Sequence, residues 1–302
     1  MKSPFEHTSA SWVRYSDYEW KKNADGDWYL LPAKGASPKP YDPMKDKEGL
    51  VLAAMEIGWR IFQKKPDEEI KALIREFARK YGLLGIMTAL PTTANFIDYE
   101  KVYFPKNALI PVEVMETTDY LSLFYPFRMP DFKKRGIESV WNNSGDVAEL
   151  ALMMTYQSEP QAMIMSFMRD YGEPYEWLVS VFKDWAFTLF TTKFYYERKD
   201  APDAETRELY ERGMAAFEDN APTYHLELRD RPTLVWDFHS LLLGIQMMFS
   251  FMMTDEKRPL RICRHCTKAF VASRPSAVFC SPQCKNQHNV YKSRAKKKDS
   301  DK

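Results

Sequence analysis

The chain has 302 residues, 45% of them apolar, enough for two domains or for one large core carrying a small appendage. Neither export nor a membrane span is expected: the opening MKSPFEHTSASW lacks the apolar run of a secretory signal. The most apolar stretch, Leu234 to Met253, carries Asp237 and His239, so it reads as a buried helix in a cytoplasmic protein. The net charge of +1 conceals a division, because residues 257–302 hold 13 Lys and Arg against Asp299 and Asp301, a net of +11. The residues before them hold 30 basic and 40 acidic side chains, a net of −10.

In chain order, Trp12, Val13, Tyr15, Tyr18 and Trp20 precede Asp25-Gly26, and Trp28 to Leu31 follow it. Asp-Gly favours the positive backbone angles of a tight turn, so residues 11–31 suggest a β-hairpin with aromatic arms. Pro32, Pro38, Pro40 and Pro43 should then break regular structure. A helix is expected from Leu50 to Phe62 and a second from Pro66, where Asp67, Glu68 and Glu69 complement the helix dipole. Its apolar stripe is Ile70, Leu73, Ile74, Phe77, Ala78 and Tyr81, with Gly82 placed as a C-terminal cap.

Residues 91–130 mix a strand-like run at Lys101 to Phe104 with prolines and support no assignment. Helices are expected over about 146–156, 159–171, 173–197 and 203–217. Their methionines, including Met153, Met154, Met163, Met165 and Met168, read as core filler rather than as a ligand surface. Tyr224, Leu226 and Leu228 alternate with polar residues as in a strand that ends at Pro232. A long helix from Thr233 should follow, with Leu234, Phe238, Leu241, Leu242, Ile245, Phe249 and Met252 on its apolar face.

All four cysteines of the chain lie in one short segment: Cys263-Arg-His-Cys266, thirteen residues, then Cys280-Ser-Pro-Gln-Cys284. In a chain without an export signal such a cluster indicates a metal site rather than two disulfides. Two close pairs around a short connector can set four thiolates in a tetrahedron about one Zn²⁺, at about 2.3 Å. The first spacing suits a knuckle turn and the second the start of a helix, which is the geometry of a treble clef. Four protein ligands leave no open position for water or substrate, so the zinc is expected to be structural. His265 and His288 stand nearby as alternative ligands, each inside or beyond an already complete set.

Phe279 to Asn286, followed by Tyr291-Lys-Ser-Arg294, resembles the C-terminal treble-clef fingers of bacterial CGNR-type zinc-finger proteins. Those proteins carry a mostly helical N-terminal domain and are generally taken to be stress-linked transcriptional regulators. The resemblance covers about residues 258–296. Where the family signature reads Cys-Gly-Asn-Arg this chain has Cys284-Lys-Asn-Gln287, so only Cys284 and Asn286 carry over.

Together these readings give an α+β protein: a mostly helical body over 1–256 with a small N-terminal hairpin, and a zinc finger with a basic tail over 257–302. The expected function is nucleic-acid binding, specifically double-stranded DNA by a bacterial transcriptional regulator, with the body sensing an unknown ligand or protein partner. The candidate contacts are Lys285, Lys292, Arg294, Lys296, Lys297 and Lys298, whose charges suit phosphates. A protein-interaction module, or a purely structural finger with a solvated tail, is the competing reading. No phosphate-cradling Gly-rich loop, His-Glu-x-x-His pair or nucleophile elbow occurs, and no catalytic role is expected.

Overall fold

A computed structural model describes residues 8–9, 12–85, 100–103, 112, 114–129, 168–197, 203–205, 207–208, 223–228, 230–237 and 240–300. The fold class is α+β, and the strands are not confined to an N-terminal hairpin: among the described residues they form five small sheets. The chain makes two compact units, each from separated stretches: 1–46, 67–180 and 219–244 in the first, 47–66, 181–218 and 245–302 in the second.

In the first unit the Asp25-Gly26 signal does mark a hairpin, of β3 (Tyr18–Lys22) with β4 (Trp28–Pro32). Its loop is wider than a two-residue turn, because the Asn23 carboxamide oxygen accepts the Asp27 N–H at 2.8 Å while Gly26 takes φ +94°. β2 (Trp12–Tyr15) leaves that hairpin and pairs antiparallel with β5 (Pro38–Tyr41). Pro38 and Pro40 therefore do not break the chain. They are two residues apart, so their missing N–H groups fall on one side of an extended strand, and a two-stranded sheet needs only the other. β8 (Glu173–Pro174) extends β4 on its free side.

Helix α2 (Asp67–Tyr81) forms as its spacing requires, burying Ile70, Ile74, Phe77, Ala78 and Tyr81. Gly82 ends it at φ +85°, its N–H donating to Ala78 O at 2.7 Å. A Cβ there would also meet Val13 O at 2.7 Å, so glycine is required twice over. In the unassigned region β6 (Lys101–Tyr103) pairs with β7 (Val114–Glu116), and α3 (Thr117–Ser122) follows directly. The core is aromatic: Tyr15, Tyr18, Phe124 and Tyr171 are all fully buried.

β9 (Thr223–Leu228) is the strand read from its alternation. The residues after Pro232 differ from expectation. Pro232–Asp237 form β10, a strand antiparallel to β9 that also pairs with β1 (Thr8–Ser9), and the helix begins only at α5 (Leu241–Thr254). Thr233, Val235 and Trp236 are good strand formers, and pairing with β9 satisfies backbone groups that a helix would otherwise serve. The same override moves the start of α4 (Tyr175–Glu197) two residues beyond the expected 173. The expected helix over 146–156 and most of that over 159–171 lie outside the described residues, as does most of 203–217, of which Ala204, Glu205, Arg207 and Glu208 are helical. Among the described residues no helix is long and apolar enough to cross a membrane.

The second unit comprises α1 (Lys47–Phe62), the later parts of α4 and α5, and the cysteine-bearing segment. α1 approaches α4 so closely at Gly58 that a Cβ would stand 2.2 Å from Phe182 O and 2.5 Å from Ala186 Cβ. Trp59 packs at a tilt on Phe190 beside that point, with ring centroids 4.7 Å apart.

Candidate metal centre

The C-terminal segment is a short hairpin, β11 (Leu260–Ile262) with β12 (Ala269–Val271), followed by helix α6 (Pro282–Ser300). The first cysteine pair sits in the turn of the hairpin. Cys263 N–H donates to Lys268 O at 2.9 Å and Thr267 N–H to Cys263 O at 3.0 Å, which closes the loop around Cys266. Thr267 takes φ +61° to do so, a conformation that disfavours a β-branched residue and is held by the loop around it.

The second pair stands at the head of α6. Ser281 precedes the helix and its hydroxyl accepts the Cys284 N–H at 3.2 Å, while Pro282 occupies the first helical position, where a missing N–H costs nothing. The Ser-Pro between the two cysteines is thus the helix-start signal that aims Cys284 at the knuckle.

The four sulfurs lie within 4.8 Å of one another. Cys280 Sγ is 3.6 Å from Cys266 Sγ and 3.5 Å from Cys284 Sγ, against about 3.8 Å for the edge of a tetrahedron with metal–sulfur bonds of about 2.3 Å. Cys263, Cys266, Cys280 and Cys284, the four cysteines grouped by their spacing in the sequence, lie together and can hold one metal ion. Neither histidine belongs to this group. His265 Nε2 is instead 2.9 Å from Gln287 Oε1, and its ring stacks on Tyr291 at 5.7 Å. His288 packs on Phe279 at 5.2 Å. Gln287 lies one turn beyond Cys284, where it can reach back to the knuckle.

Electrostatically the thiols are unequal. Burial works against ionising Cys263, but backbone N–H groups of Cys266, Cys280 and His265 outweigh it and bring its pKa to about 6. Burial and the neighbouring thiols push Cys280 up, and burial likewise raises Cys266. One thiolate in the cluster thus opposes the next, an order that a divalent cation at the centre reverses.

The basic candidates are placed by α6. Lys285, Lys292 and Arg294 are exposed, and Lys296, Lys297 and Lys298 continue the same helix. They do not form a single stripe. At about 100° per residue Lys285, Lys292 and Lys296 share one flank, while Arg294 and Lys298 fall about opposite. Asn286 is exposed and makes no side-chain hydrogen bond among the described residues. Two further finger cations are paired within the second unit: Arg258 with Glu48 at 3.0 Å and Lys268 with Glu56 at 3.2 Å.

Comparison of the chain with protein-family models, with curated proteins and with solved structures finds no match.

Proposed function

We propose that the C-terminal segment is a treble-clef zinc finger and that the protein binds nucleic acid through it, as a DNA-binding regulator in the cytoplasm. The observation that carries the reading is the convergence of four thiols at the head of a helix whose exposed residues include Lys285, Lys292 and Arg294. Zn²⁺ is the cation that a four-sulfur tetrahedral set suits best. Four thiolates complete its shell, which supports a structural role and no catalytic one. The net charge of +11 over residues 257–302 supplies the attraction for a polyanion, and the acidic remainder keeps it local.

The ion pairs of Arg258 and Lys268 favour a second reading, in which the finger is a staple for the second unit and touches no nucleic acid. A titration of the full chain against random-sequence duplex DNA at several salt concentrations separates the two. The proposed function requires an affinity that falls with salt, with a slope near −0.9 per phosphate contacted. Neutralising Lys285, Lys292, Arg294 and Lys296 to Lys298 together should abolish most of that slope at unchanged zinc content. No binding by the wild-type chain at low salt leaves the staple.

A further inference from the structure

Beside the knuckle the second unit contains a cleft of about 1080 Å³. Its walls are the ends of α4 and α5, strand β11 and the His288 side of α6. Three elements contribute a basic residue to its lining: α4 Lys193, β11 Arg261 and the knuckle Arg264. Arg264 is exposed, but the Nε of Arg261 is shut off from solvent and has no hydrogen-bond partner among the described residues. A cationic N–H withdrawn from water with nothing to donate to is costly, and Arg261 has no protein acceptor among the described residues at that atom to offset its charge.

Two acids share the lining, and they differ in how free they are. Asp255 is committed to the N–H groups of Lys257 and Arg258, at 2.7 and 2.8 Å, while Glu256 is exposed. Helix α6 extends the positive surface past the cleft. Positions three before and four after His288 border it on the flank away from Tyr291, and these are Lys285 and Lys292.

We infer that this cleft is a phosphate site in which Arg261 and Arg264 hold the nucleic-acid backbone, continuous with the α6 flank that carries Lys285 and Lys292. The inference rests on the finger being a nucleic-acid binder and adds to it a defined entry point and two contacts outside the helix. Guanidinium groups suit the site because their fixed fork of donors matches phosphate oxygens. The contact carries no sequence information and should act alike on every duplex.

The test uses the full-length protein with its metal and a fluorescently labelled random-sequence duplex, read by anisotropy across a salt series. Arg264→Gln, a change at an exposed position, should flatten the salt slope by about 0.9, and Arg261→Gln with Arg264→Gln by about 1.8. Arg274→Gln removes the same charge from an exposed finger position away from the cleft and should leave the slope as it is. Metal content of each variant reports whether the finger still forms. If the double variant loses metal, Arg264→Gln alone decides. A wild-type chain that binds while Arg264→Gln binds with an unchanged slope, or while Arg274→Gln flattens it equally, overturns the phosphate site and leaves the proposed function intact. A wild-type chain that binds no duplex removes both.

Discussion

Phe124 in the first unit is fully buried against the rings of Tyr120, Tyr171 and Trp177, with centroids 5.2–5.7 Å apart. The finger has no comparable interior: its core is Cys263, Phe270 and Ala272, with Cys266, Ala277, Phe279 and Cys284 only partly covered. Three of those seven residues are proposed metal ligands. The first unit can hold its shape by excluding water from large apolar surfaces, whereas a segment this small needs a cross-link at its centre.

The largest test of that contrast is Cys280→Ser, or chelation of the wild-type protein. Zinc sites of this kind contribute on the order of 10–16 kcal/mol of folding free energy, so the finger should unfold while the near-ultraviolet dichroism of the aromatic core persists. Elemental analysis should fall from one zinc per chain to none. A variant that keeps its metal would make His265 or His288 a ligand and void the four-cysteine shell.

Phe124→Ala reverses the experiment. Truncating a buried phenylalanine costs about 3–5 kcal/mol, to be read by urea unfolding, and the zinc content should not move. If metal and aromatic core were lost together, the two regions would not be independent.

A subtler separation comes from pH. Glu173 is wholly buried; its Oε1 accepts the Gly85 N–H at 2.7 Å and the Tyr171 hydroxyl at 3.0 Å, while Oε2 has no partner among the described residues. Burial, partly offset by the donors from Gly85, Leu84 and Tyr171, raises its pKa from 4.5 to about 7. The folded state therefore favours the protonated acid. This stabilisation is complete below about 4.5 and is lost as pH rises through about 7. Denaturation midpoints of the first unit should drop across that window, and Glu173→Gln should flatten the drop. The proposed metal site should respond with the opposite sign, since acid protonates thiolates and would release an ion they hold.

The smallest effect belongs to Lys268→Gln. Its ion pair with Glu56 links the finger hairpin to α1, yet the lysine is 53% exposed, and pairs of that kind contribute within about 1 kcal/mol. A loss of several kcal/mol would mean that electrostatic anchoring, rather than the metal, holds the finger in place.

Where a signal is local, the sequence and the structure agree. The acidic start, apolar stripe and Gly82 stop of α2 act within one helix, and the two cysteine pairs sit in a turn and at a helix start that their own neighbours create. The disagreements arise where a distant partner decides. Trp12–Tyr15 has the composition of a hairpin arm, but its partner is Pro38–Tyr41. Leu234 fits an apolar helix face until β9 offers its stretch a ladder. The alternation in β9 foretells a strand but not its setting, since Tyr224, Leu226 and Leu228 are 63%, 72% and 84% exposed.

The sequence by itself therefore determined which four cysteines can hold a metal ion, the helix that presents the basic tail and the separation of charge along the chain, because cysteine spacing, capping and charge are properties of neighbouring residues. Only the tertiary structure decided which strands pair, that the Gln287 carboxamide meets His265, and that Arg261 and Arg264 share a cleft. Each of these depends on the direction in which a side chain or backbone group points once elements far apart in the chain have packed, and no spacing rule encodes that direction.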